Sequence, residues 1–137
     1  MDLDLLKNNA LAFKKSAERC LEPKKQPGGG YEFFAVPAVV NLAFSVELYL
    51  KFILIKKGKS HKGHELFKLF KLLDDPTKEA IIKATNYDQI TFESMLTNHT
   101  ATFVEWRYMH EENRDMRAST EFMMKLATSI ENVANSL

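Results

Sequence analysis

The chain has 137 residues, 45% hydrophobic and 27% charged, with 19 Lys and Arg against 18 Asp and Glu. That length holds one ordinary domain, and that composition buries a core instead of leaving the chain disordered. A formal charge of +1 excludes a uniformly basic nucleic-acid binder, and the single Cys20 excludes an intramolecular disulfide or a Cys-rich zinc module.

The opening Met1-Asp2-Leu3-Asp4 is acidic where a secretory signal is basic, so the expected setting is the cytoplasm. Residues 1–137 read as a single helical domain. Leu3, Leu6, Ala10, Phe13, Ala17 and Cys20 recur at spacings of three and four, which predicts an amphipathic helix ending near Glu22, just before Pro23. Pro27 and Gly28 to Gly30 then predict a flexible connection with no strands. The triple glycine lacks the lysine that a phosphate loop requires.

A second helix is expected from about Phe33 to Lys57, stopped by Gly58, with Pro37 confined to its first turn. Its apolar residues lie on nearly every side, so it must be covered on nearly every side. Asn41, Ser45, Glu47 and Lys51 interrupt it, which argues for a buried central helix over a membrane span. The excess of apolar surface predicts a homodimer through this helix, using Phe44, Leu48, Tyr49 or Phe52.

A short helix is expected from near His64, with Leu66, Phe67, Leu69, Phe70 and Leu73 as its apolar face. The next should start with Asp75 as N-cap and Pro76 at the first helical position, burying Ala80, Ile81 and Ala84. Phe92, Leu96, His99, Phe103, Trp106 and His110 form a further stripe, and Phe122, Leu126, Ile130, Val133 and Leu137 a last one. The fold class is all-α, an up-and-down helical bundle of about five to six helices.

Polar residues inside apolar stripes are the candidate site. Glu47 stands where its stripe needs an apolar side chain, so it must be paired, protonated or at a wet seam, and Arg107 is the expected partner. His110, three residues after Arg107, shares its helical face, and an imidazole beside a guanidinium suits phosphodiester chemistry. His99 reads as a hydrogen-bonded core histidine. His61 and His64 read as turn and capping residues, too few for a zinc site, and no metal or cofactor is expected. Residues 51–71 carry seven lysines and only Glu65, which makes Lys51, Lys56, Lys57 and Lys62 candidate phosphate contacts beside the default of a solvated turn.

The run from Asn41 to Lys51, followed by Gly58 and by His64, Leu66 and Leu69, resembles the core of HEPN domains. The run from Phe103 through Arg107, Tyr108 and His110 to Glu111 is similar to the Arg-Tyr-x-x-Glu segment of some bacterial branches. The resemblance implies a bundle on two long antiparallel central helices, often dimeric, and a role around RNA or nucleotides. Toxin or defence systems, or a nucleotidyltransferase partner protein, are the settings it suggests. Catalytic members are metal-independent ribonucleases with an Arg, a spacer of four to six residues and a His. Arg107 and His110 are closer than that spacing, which favours a non-catalytic dimeric module binding a nucleic acid, nucleotide or protein partner over a divergent ribonuclease using those two residues.

Overall fold

In the computed structural model, residues 1–100 and 116–137 are described. Asp2 starts the first helix, α1 (Leu3–Cys20), by accepting the Leu5 backbone N–H at 3.0 Å, which satisfies a donor the helix itself leaves open. The second helix, α2 (Ala35–Lys56), carries Pro37 in its first turn, where a missing N–H costs nothing. Phe34 N–H donates to Cys20 O, Asn41 Nδ2 to Ser16 Oγ, and Ser45 Oγ to Ala10 O. Positions that rise along α2 therefore meet positions that fall along α1, and the two helices are antiparallel.

Four further helices complete the described bundle: α3 (Leu66–Lys71), α4 (Asp75–Thr85), α5 (Gln89–Asn98) and α6 (Met116–Asn135). The all-α expectation holds. Helix α2 packs on α1, α3 and α6, while α6 also covers α4. Its mean hydropathy and length would let it cross a membrane, but 67% of its most apolar window is buried inside the bundle. Tyr49 and Phe52, expected at a dimer contact, are 1% and 3% exposed within one chain, whereas Phe44 and Leu48 stay half-buried. The apolarity of α2 is thus used mostly by its own neighbours.

The connection between α1 and α2 is not free of strands. Lys24–Lys25 (β1) pairs antiparallel with Tyr31–Glu32 (β2), Lys24 opposite Glu32 and Lys25 opposite Tyr31. Gly29 and Gly30 make the turn at φ of 96° and 75°, conformations that side chains resist, and Gln26 N–H reaches Gly30 O at 3.0 Å. Other boundaries also shift. Helix α3 begins at Leu66, not His64, and α5 ends at Asn98 with His99 as its C-cap. In α4 the buried positions are Thr77, Ile81 and Thr85, while Ala80 and Ala84 are exposed, and Leu137 lies past the end of α6, 46% exposed.

Asp74, not Asp75, caps α4: its carboxylate accepts Thr77 N–H at 2.9 Å and lies 3.0 Å from Lys57 Nζ. The Thr77 hydrogen bonds first, and Lys57 second, hold this carboxyl below the usual carboxylate range. A carboxyl depressed by folding contributes stability that is full above its unfolded pKa and is lost as pH falls through the folded one. Thermal unfolding of Asp74→Ala and the native chain should therefore differ most near neutral pH and converge in strong acid. A difference that stays constant down to strong acid would contradict this assignment.

Three long helices are tied by one polar cluster that the sequence did not reveal. Lys14 Nζ lies 3.3 Å from both Glu18 Oε1 and Glu131 Oε2, and Tyr49 Oη donates to the same Glu131 oxygen at 3.3 Å. Burial, and then the charge of Glu131, push the Tyr49 phenol above the ordinary tyrosine range. Lys14 falls between Ala10 and Ala17 on the buried stripe, and that position was the available signal.

Candidate functional site

Glu47 projects from the middle of α2 and is 6% exposed. Its Oε2 takes two cationic or donor groups: Lys51 Nζ at 3.1 Å, one helical turn on, and His64 Nδ1 at 3.1 Å. A carboxylate only accepts, so the His64 Nδ1 carries the hydrogen. Glu47 Oε1 is buried with no hydrogen-bond partner among the described residues. Lys51 and His64 are the partners of Glu47 here, while Arg107, the partner expected from the sequence, lies outside the described residues.

His64 arrives there because the chain reverses tightly after α2. Gly58 adopts φ 68°, its N–H bonds Ile55 O at 3.0 Å, and Lys59 N–H bonds Leu54 O at 2.8 Å. That left-handed glycine ending satisfies the last carbonyls of the helix. Gly63, at φ 97°, then turns the backbone just before His64. Glu65 provides no side-chain cap to α3; instead Thr100 does, its O accepting Leu66 N–H at 3.3 Å and its Oγ1 accepting Phe67 N–H at 2.8 Å.

The turn from Lys56 to His64 contains four lysines and no acid. Lys57 is clasped to Asp74 at 3.0 Å, and Lys59 Nζ donates to Leu72 O at 3.2 Å. Lys56 Nζ lies 5.9 Å from the Phe52 ring centroid, a cation–π distance, and Lys62 is exposed with no ion pair among the described residues. Of the four candidate phosphate contacts, Lys51 and Lys57 are therefore engaged with carboxylates. Lys56 and Lys62 remain directed to solvent.

His99 is 3% exposed; its Nδ1 lies 2.7 Å from Met95 O, its Nε2 2.9 Å from Ser119 Oγ, and its ring stacks on Phe122. It is a core histidine. Arg107 and His110, with Phe103, Trp106 and Glu111, lie outside the described residues. Among the described residues, no three His, Cys, Asp or Glu side chains gather closely enough to hold a metal ion. Compared with protein-family models, with curated proteins and with solved structures, the chain matches none.

Proposed function

We propose that this chain is a non-catalytic, HEPN-like, homodimeric module that binds the phosphates of RNA or nucleotides through the turn joining α2 to α3. The observation that carries this reading is the acid-free turn itself, held in one shape by Gly58, the Lys57–Asp74 clasp and the Glu47–His64 contact. A fixed cluster of cations binds anions without first paying to order itself. The basic face and the balanced charge of the whole chain are compatible, because residues 72–137 carry eleven acids against six bases.

Single-stranded RNA with a fluorescent end, titrated with the protein at rising salt, tests this. Each displaced phosphate counterion contributes about −0.7 to the slope of log affinity against log salt, so Lys56 and Lys62, the two turn lysines directed to solvent, predict a slope of about −1.4. Lys56→Glu combined with Lys62→Glu should weaken binding several-fold and flatten that slope. Affinity independent of salt, or unchanged in the double variant, would overturn the assignment.

A second reading, a metal-independent ribonuclease, is favoured by one contact. Glu47 orients the His64 imidazole through Nδ1 while the side chain stays 70% exposed, an arrangement suited to a general base. In the first reading the same contact only fixes the turn. Cleavage assays separate the two.

A further inference from the structure

Tyr31, Phe33 and Phe34 are 68%, 55% and 51% exposed, three aromatic side chains within four residues. Other exposed apolar residues, such as Leu5, Leu72 and Ile90, lie apart on separate helices or their ends. Single exposed side chains are ordinary, but such a cluster on a small domain marks an interaction surface. The hairpin that carries it is firmly based: Phe34 N–H bonds Cys20 O at 2.7 Å, and the turn closes on itself through Gln26 and Gly30.

We infer that a second copy of this chain docks on this hairpin, aromatic side chains against aromatic side chains about a two-fold axis. The inference rests on the homodimer named above and moves its contact from the middle of α2 to the α1–α2 hairpin. Charge selects the occupant. Residues 19–34 carry Arg19, Lys24 and Lys25 against Glu22 and Glu32, all five exposed. A nucleic acid or an anionic lipid surface would meet two carboxylates there, whereas the turn after α2 has none. A rim with both signs around an aromatic centre is complementary to its own copy.

Pairing through the β1 edge is not the route, since antiparallel β1 against β1 would set lysine opposite lysine. The three rings, more than half open, supply on the order of 300–400 Å² per copy. A stable contact needs about 800 Å² per partner. The rings thus supply about half of that area, and the rest falls to the charged rim and to Val36, Pro37 and Val40 on the first turns of α2.

Light scattering and a crosslink test this on the full chain. The native chain at micromolar concentration should give twice its 15.8 kDa mass. Tyr31→Ser, Phe33→Ser and Phe34→Ser together should give the monomer with unchanged helical circular dichroism. Phe33→Cys, in a Cys20→Ser background, should form an intermolecular disulfide on mild oxidation. A monomeric native chain would overturn both the inference and the dimer. A dimer that survives the triple variant and fails to crosslink would overturn the inference alone, placing the contact elsewhere. A native monomer that uses these rings to hold single-stranded RNA or anionic vesicles would overturn it in favour of those partners.

Discussion

Replacing Phe122 with alanine is expected to lower the unfolding free energy by about 3–5 kcal/mol, the largest loss available from one core side chain of this size. Phe122 is fully buried on α6, and its ring centroid lies 5.8 Å from that of Phe92, 5.6 Å from Tyr87 and 5.6 Å from His99. Those neighbours come from α5, its C-cap and the segment after α4, so one ring joins three parts of the chain. Truncation leaves a cavity walled by large, stiff rings that relax only partly. It also removes the surface on which His99 stacks while bonding Ser119 Oγ. Thermal or urea unfolding checks the magnitude, with Phe122→Leu expected to lose less than half as much. A loss under about 1 kcal/mol for Phe122→Ala would show that this junction is not packed as described.

Glu47→Ala is expected to cost about 3 kcal/mol, and the combined change Glu47→Leu with Lys51→Met much less. Both members of the pair are largely buried, with side chains 8% and 14% exposed. Removing the carboxylate alone leaves the Lys51 ammonium without its counter-charge, whereas an apolar pair of similar volume removes the burden from both. Glu47→Ala should also loosen the turn bearing His64, visible as faster amide exchange through residues 58–65. Equal losses in the single and double variants would contradict the buried pair.

Much of this fold was readable from the sequence because its causes are local. Helix α2 announces its start with Pro37 and its end with Gly58, and its all-round apolarity requires cover. What covers it was not readable: periodicity gives the face, not the neighbour. The surplus assigned to a partner through Tyr49 and Phe52 is met instead within the chain. Two-residue strands are too short to show alternation, so the β1–β2 hairpin left only the glycines that turn it. The adjacent Asp74 and Asp75 both suit an N-cap; Asp74 takes it by accepting Thr77 N–H and also meets Lys57, seventeen residues away, a contact that spacing does not show.

The candidate site was half legible for a similar reason. Glu47 declares itself by breaking an apolar stripe, a signal within one helix. His64 joins it only through two left-handed glycines and a turn whose path the sequence does not specify. Lys14 and Glu131 stayed hidden because a lysine on a helix normally reaches solvent, and their contact spans the chain. Local rules found the residues under strain, and tertiary closure chose their partners.

In the proposed function this module holds RNA without cutting it. Single-stranded and structured RNA, labelled at one end, incubated with the native chain in EDTA and resolved on both native and denaturing gels, reads binding and cleavage together. A retarded complex that dissolves as salt rises is expected, with full-length RNA recovered after denaturation. RNA cleaved in EDTA, with cleavage lost in folded His64→Ala or His110→Ala chains, would contradict it and establish the ribonuclease reading.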